Sequence, residues 1–394
     1  MANTNLANAK TAKNDEFYTQ YPDIQKEINA YLDYNPNVFR GKTVLLPCDD
    51  PEWSNFTKFF AQNFELLGLK KLISTSFAPE SKKYKAGYMP TLFETESPIY
   101  DQDKTLTHGK IFILDHDTNA NGRIDINDLQ WQYLEGDGDF RSKEICKLRD
   151  EADIIVTNPP FSLFREFVAW IMEANKQFVV IGNMNAITYK EIFPLIMDNK
   201  IWLGNGFHKG NAYFRIINER EYANGVYDTE TGLVKFRNCC WFTNIDHGRR
   251  HQPMKLMTMA DNFKHSKHKE IKGLTEYVHY DNYDAIEVPF TDSIPDDFYG
   301  IMGVPTSFLE KYCPEQFEIL GSTQRGCHDL VPDTRKYDDY WECKPNGEKT
   351  GSSGGKTNEN GNILRNDGVH NYFENAEGRQ VQSTYQRVFI RKKQ

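Results

Sequence analysis

Between Lys42 and Ile245 the chain alternates short continuous apolar runs with longer stretches whose apolar residues recur at helical spacing. The runs "KTVLLPC" (42–48), "KKLISTSF" (70–77), "EADIIVTN" (151–158) and "QFVVIGNM" (177–184) predict buried strands. The stretches "NFTKFFAQNFELLGL" (55–69), "LFREFVAWIMEAN" (163–175) and "YKEIFPLIMDN" (189–199) predict helices between them. "KIWLGN" (200–205) and "RNCCWFTNI" (237–245) predict two strands able to pair. Strands joined by helix-length crossovers predict an α/β fold with a mostly parallel sheet covered on both faces. In such sheets ligands lie outside the carboxyl ends of the strands, which is where the turns at 47–51 and 158–161 fall.

Past about residue 246 the pattern changes. Predicted strands become short and isolated, and Gly, Pro, Asn and Asp become frequent. "KPNGEKTGSSGGKTNENGNILRNDG" (344–368) is polar, Gly-rich and aperiodic, and predicts a flexible loop or an insertion. A domain boundary is therefore expected near 246, dividing 1–245 from 246–394.

Composition narrows the class. The seven cysteines are odd in number and irregularly spaced, which suits reduced thiols in a cytoplasm rather than a disulfide framework. The N-terminus is polar and lacks the apolar core of a signal peptide, and no apolar run is long enough to span a bilayer, so no membrane association is expected. A formal net charge of −9 argues against a protein that coats nucleic acid indiscriminately. Basic residues do gather in "HGRRHQPMKLMTMADNFKHSKHKEIK" (247–272) and in the terminal "RVFIRKKQ". Each is either a solvated surface or part of a local basic groove.

The stretch "DIIVTNPPFSLFREF" ends an apolar strand in Asn158, Pro159, Pro160 and Phe161. Two consecutive prolines lack the N–H groups that would continue a ladder, so the turn is rigid. A planar amino group can act as a nucleophile when acceptors draw its hydrogens toward sp³ geometry. The Asn158 side-chain oxygen and the Pro159 carbonyl offer two such acceptors at fixed positions, and Phe161 can stack on a base drawn out of a duplex. The electrophile suited to such a nitrogen is the methyl of S-adenosylmethionine. The competing reading is an ordinary Asx–Pro turn between strand and helix.

Two further turns bear on the choice. The strand at 42–48 leads into Cys48, Asp49, Asp50 and Pro51 instead of a glycine-rich phosphate turn, and Ser54 or Asn55 can cap the next helix. Acidic groups there suit a cationic amino-acid moiety or ribose hydroxyls, or else are solvated acids in a capped turn. In "LEGDGDFRSKE" (134–144), a sharp bend presents Asp137 and Asp139 beside Phe140. One of these carboxylates can accept the exocyclic amine of a cofactor adenine, or both can be plain turn residues. "NDEFYTQY" (14–21) places two aromatics and a Thr before the first strand.

Together these motifs resemble the EcoRI-type adenine-specific DNA methyltransferases. "DEFYTQY", "CDDPEWSNFTKFFAQNFELLGLKKLI", "GDGDFRS", "DIIVTNPPFSLFREF", "YDNYDAIEV" and "GIMGVPTSFLEKYCPEQFE" carry the resemblance over most of the chain. The resemblance implies a Rossmann-like methyltransferase domain over 1–245 that binds S-adenosylmethionine, with target recognition in 246–394. It implies that Phe17, Tyr18 and Thr19 contact the cofactor, that Cys48–Pro51 form the cofactor turn, and that Asp139, beside Phe140, holds its adenine. Asn158–Phe161 would then hold a flipped adenine of double-stranded DNA. A monomer is expected, serving a restriction-modification system without direct contact with a cognate endonuclease. Regions about 98–135 and 328–385 are longer than in the namesake, so its target sequence does not carry over. Two rivals share the motifs: transfer to a glutamine amide or to RNA, and a DNA-binding module without catalysis.

"DTNANGRIDIND" (117–128) fits a twelve-residue calcium loop. Asp117, Asn119 and Asn121 stand at its first, third and fifth positions, Gly122 at the turn, the Arg123 carbonyl at the seventh, Asp125 at the ninth and Asp128 last. A helix is expected after it in "INDLQWQYL", whereas "KIFIL" before it reads as a strand, giving a single weak, structural calcium site. An Asx-rich turn uses the same residue types. No zinc spacing, phosphate loop or Gly-x-Ser-x-Gly signature is present.

Overall fold

The computed structural model describes residues 18–49, 54–78, 92–207, 211–215, 226–323 and 330–394. The expected site residues Phe17, Asp50 and Pro51 lie outside them. The chain divides into two compact units, Met1–Ala186 with Ile201–Gly248 and Ile187–Lys200 with Arg249–Gln394. The second unit thus includes the short helix Phe193–Met197, all that forms of the helix expected over 189–199. Among the described residues no helix is long and apolar enough to cross a membrane.

The first unit opens with β1 (Tyr18–Thr19), the helix Tyr21–Tyr34 and β2 (Thr43–Leu46). The helix Asn55–Gln62 leads to β3 (Lys71–Thr75), followed by β4 (Lys110–Leu114) and β5 (Gln130–Tyr133). The helix Lys143–Glu151 precedes β6 (Ile154–Thr157), and the helix Phe164–Glu173 joins it to β7 (Gln177–Asn183). β8 (Trp202–Leu203), β9 (Asn211–Arg215), β10 (Tyr227–Asp228), β11 (Leu233–Arg237) and β12 (Cys239–Thr243) complete the unit.

Eight strands form one sheet in the order β5-β4-β3-β2-β6-β7-β12-β8. The four central strands are parallel, from β3 through β2 and β6 to β7. The flanking pairs are antiparallel, so the sheet is mixed rather than mostly parallel. The periodicity identifies strands but carries no direction for the flanking ones, because antiparallel neighbours need no helical crossover. Every residue of β2 and β6 is buried, which explains their unbroken apolar runs. Phe164, Phe167, Val168 and Ile171 are buried on one face of their helix. Strand order reverses between β2 and β6: from β2 the chain first moves to β3, and later returns to its other side as β6. A second, antiparallel sheet orders β1-β9-β11-β10.

In the second unit, one sheet joins Ile286–Glu287, Met302–Pro305, Arg387–Lys392 and Phe317–Ser322. The basic C-terminal segment is therefore a strand, with Val388, Phe389 and Ile390 buried and Arg387 paired with Glu287. Another sheet joins Lys349–Ser353, Trp341–Cys343, Tyr372–Glu374, Gln380–Ser383 and Asn362–Leu364. This corrects the expectation of a flexible segment over 344–368. A small core of Tyr337, Tyr340, Phe373 and Val381 supports the sheet. Its order also comes from polar groups: Thr357 Oγ1 and Ser383 Oγ both donate to Asn362 Oδ1, at 2.9 and 2.8 Å. Hydrophobic periodicity cannot report a network of that kind.

Candidate active site

The carboxyl ends of β2 and β6 are neighbours, since Val44 pairs with Ile154 and Leu45 with Ile155. The turn at Pro47–Asp49 and the turn beginning at Asn158 therefore emerge side by side, at the strand-order reversal where α/β sheets open a crevice. Asp49, 6% exposed, joins them. The Thr157 hydroxyl donates to its Oδ2 at 2.6 Å, and the Ser54 hydroxyl donates to its Oδ1 at 2.8 Å. The Asp49 carbonyl accepts from Ser74 Oγ at 2.7 Å, so the bend is also fastened to β3. Ser54 caps the helix Asn55–Gln62, accepting from the Phe56 amide at 3.0 Å. Cys48 is half-buried in the same turn.

β1 joins this edge through Asn55, whose Nδ2 donates to the Thr19 carbonyl at 2.8 Å. Thr19 is 2% exposed, and its hydroxyl has no hydrogen-bond partner among the described residues. β1 pairs with β9, setting Thr19 opposite Phe214. The Phe214 ring meets Phe236 edge-on at 5.4 Å between centroids, and Phe236 meets Phe161 edge-on at 6.3 Å. An aromatic wall thus runs from β9, the partner of β1, to the Asn158–Phe161 turn. Pro159 is buried and Pro160 half-buried, and the Pro160 carbonyl accepts from Leu163 at 2.9 Å to start a single 3₁₀ turn.

The loop at 136–142 docks on the end of β3. Its Asp137 carbonyl accepts from the Ala78 amide at 2.7 Å. Gly138 has φ +84°, and a Cβ there would lie 2.2 Å from the Ser76 carbonyl oxygen, so only glycine fits. Asp139 receives Arg141 in a fork, with Nε 2.9 Å from Oδ1 and Nη2 2.7 Å from Oδ2, and the Arg141 amide also donates to Oδ1 at 2.9 Å. The hydrogen bonds to Asp139 raise the guanidinium pKa above its ordinary value. Phe140 is 4% exposed and packs edge-on against Phe167 and Trp170, which makes it a core residue of this loop.

The 117–128 loop is closed by its own backbone. Asp128 Oδ1 accepts from the Thr118 and Asn119 amides and the Thr118 hydroxyl, and Oδ2 accepts from the Asp125 amide. Asp117 accepts from the Asn121 and Gly122 amides, and the Asn121 side chain accepts from the Arg123 amide. Hydrogen bonds from the Asp125 amide, from Thr118 and from the Asn119 amide push the Asp128 pKa down. The expected helix is also absent: a 3₁₀ turn at Ile126–Asp128 passes into β5, where Trp131 stacks on Phe112 of β4. Among the described residues no group of three or more His, Cys, Asp or Glu can hold a metal ion, so Asp117, Asn119, Asn121, Arg123 and Asp128 form an Asx-rich turn without support for calcium.

Within the basic stretch 247–272, Arg250 is buried and bonds Asn199. His251 pairs with Glu315, and Lys267 and His268 pair with Asp292. Lys255, Lys264, Lys269 and Lys272 are exposed and have no ion pair among the described residues. Sequence reasoning missed the Asp49–Thr157 tie, the Asp139–Arg141 fork and the Phe214–Phe236 wall. Only the last left a trace, in the apolar positions of "NAYFR" (211–215) and "LVKFR" (233–237).

Comparison with known proteins adds a relationship to this geometry. A family model described as adenine-specific methyltransferase EcoRI matches residues 5–393. The chain is 40% identical over 322 residues to the type II methyltransferase M.EcoRI of Escherichia coli, covering 80% of this chain and 88% of that protein. It is 34% identical over 317 residues to the type II methyltransferase M.MpnI of Mycoplasma pneumoniae, covering 79% and 83%. It is also 34% identical over 319 residues to M.MgeORF184P of Mycoplasma genitalium, covering 79% and 84%. No solved structure matches the chain.

Proposed function

The chain belongs to the EcoRI family of adenine-specific DNA methyltransferases, and from that premise we propose how its own residues carry the methyl transfer. The observation that carries the reading is the Asp49–Thr157 hydrogen bond, which fixes the two turns of the β2–β6 edge against each other. A reaction between two bound partners needs both binding turns held in a fixed relation.

Membership of the family implies S-adenosylmethionine as cofactor. The residues present fit it. Thr19 offers a buried hydroxyl with no partner among the described residues, and Tyr18, Cys48 and Asp49 belong to the same edge, while Asp139 offers a carboxylate to the adenine amine. When bound, the cofactor supplies an electrophilic methyl on a sulfonium. Asp49, with both oxygens bonded by protein hydroxyls, acts by shaping the turn. The parallel core β3-β2-β6-β7 supports the reading of this sheet as that of a Rossmann-like methyltransferase.

The target adenine leaves the duplex and enters the crevice at the β2–β6 edge. Its N6 hydrogens are accepted by the Asn158 side-chain oxygen and the Pro159 carbonyl. This pulls the nitrogen lone pair out of the ring and aims it at the methyl. Phe161, braced by Phe236, stacks on the base. The prolines keep the acceptors from moving as charge develops, and the surplus proton leaves the nitrogen after transfer. Residues 246–394 read the target sequence, and the unpaired lysines of 255–272 contact phosphates. The enzyme works as a monomer in the cytoplasm, alongside a restriction endonuclease it does not touch.

The test is incubation with labelled methyl donor and unmethylated duplex DNA, followed by digestion to nucleosides. Label in N6-methyl-2′-deoxyadenosine is expected. Label in RNA or in protein glutamine, with none in duplex, overturns the reading.

A further inference from the structure

We infer that Arg141 is a positioning residue for the cofactor's adenine, acting by locking the Asp139 carboxylate in one orientation. The inference rests on the reading that Asp139 accepts the adenine amine.

The backbone around Asp139 is already fixed on both sides. Gly138 is pressed on the Ser76 carbonyl, the Asp139 amide donates to Asp137 Oδ1 at 3.1 Å, and the Asp139 carbonyl accepts from the Ser142 amide at 2.9 Å. Ser142 in turn caps the helix Lys143–Glu151. The freedom left to the side chain is rotation about its two torsions, and Asp139 is 23% exposed. Arg141 restrains that rotation. Its backbone amide, Nε and Nη2 converge on the one carboxylate.

The guanidinium is itself held from two other directions. Its centre lies over the Phe140 ring at 5.4 Å from the centroid, and Phe140 is locked in the core. Its Nη1 donates to Glu166 Oε2 at 3.2 Å. Glu166 stands in the first turn of the helix that follows the Asn158–Phe161 turn. The fork thus ties the loop that meets the adenine to the helix that carries the catalytic turn. Only a planar guanidinium can bridge both carboxylates in this way, and a lysine in its place has no fork.

A carboxylate held in place accepts an amine without first losing side-chain freedom, and holding it strengthens selection for that amine. The experiment compares calorimetric binding of S-adenosylhomocysteine with that of its analogue lacking the 6-amino group. The intact enzyme should prefer the amino form by about tenfold or more, as for a hydrogen bond to a charged group. Asp139→Ala should abolish the preference. Arg141→Ala, which leaves the Asp139 charge in place, should cut it by about three- to tenfold. Arg141→Lys should restore only part of it. A preference untouched by Asp139→Ala sinks the adenine reading and the inference with it. A preference lost in Asp139→Ala but unchanged in Arg141→Ala leaves the adenine reading standing and overturns the role of Arg141. Equal weakening of both ligands by Arg141→Ala is the signature of a merely structural role, and it also overturns the inference.

Discussion

Replacing Thr157 by valine removes one hydroxyl from a fully buried, nearly isosteric position. That hydroxyl donates to Asp49 Oδ2 at 2.6 Å, and its loss leaves a buried carboxylate oxygen short of a donor. A hydrogen bond to a charged group contributes about 1.5–3 kcal/mol, so we take a loss of about 2 kcal/mol. For a unit of this size each kcal/mol lowers Tm by about 2–4 °C, which gives a fall of about 4–8 °C in calorimetry. Thr157 directly precedes Asn158, so the acceptors proposed for the target amine lose their register with the proposed cofactor turn. A small displacement of that kind costs about 10- to 100-fold in rate. Single-turnover transfer at saturating DNA and cofactor reads this directly. Thr157→Ser keeps the hydroxyl and gives up one buried methyl, worth about 1 kcal/mol, so its turnover should stay within a few-fold of the parent. A Thr157→Val enzyme matching the parent in both Tm and rate refutes the reasoning. So does a Thr157→Ser enzyme as damaged as Thr157→Val.

Three further predictions address other parts of the molecule. Changing Lys255, Lys264, Lys269 and Lys272 to Gln should lower the slope of log affinity against log salt by about 0.9 for each lysine that meets a phosphate, with cofactor binding unaltered. An unchanged slope in salt-titrated DNA binding removes this surface from the interface. Gly138→Ala sets a side chain at φ +84° against the Ser76 carbonyl. It should destabilise the protein by at least about 2 kcal/mol in denaturant melts and weaken cofactor binding, whereas a neutral substitution contradicts the docking of this loop. Burial raises the Glu342 pKa, but bonds from Lys356, Thr350 and Asn371 outweigh it and hold the carboxyl at about 2. A folded pKa below the unfolded one gives stability that is full above about pH 4.5 and lost as pH falls toward 2. Acid titration of the unit should show that loss, and Glu342→Gln should abolish it.

The strands that make the site were legible because burial on both faces leaves an unbroken apolar run, as in "TVLL" of β2 and "IIVT" of β6. The turns that end them were legible because proline and paired acids cannot continue a strand. Their mutual fastening was not, since Asp49 and Thr157 are 108 residues apart and each alone is an ordinary turn residue. The sheet β1-β9-β11-β10 escaped notice for a different reason. Its strands are two to five residues long, too short for a period to emerge. The segment 344–368 misled because its order rests on Thr357, Asn362 and Ser383 bonding one another, and composition alone reads such residues as a loop. The 117–128 loop misled in the opposite sense, because ligand-like oxygens and Asx-turn oxygens are the same atoms until their donors are known.

The central claim is that the Asn158–Phe161 turn places an adenine N6 for methylation within duplex DNA. Methylation-sensitive sequencing of DNA from cells expressing the parent or Asn158→Ala tests it most directly, with purified proteins titrated against DNA and cofactor. The account predicts N6-methyladenine in one sequence context from the parent, and none from an Asn158→Ala protein that still binds both partners. Methylation that persists undiminished in Asn158→Ala, or a parent that leaves adenine unmodified, contradicts it.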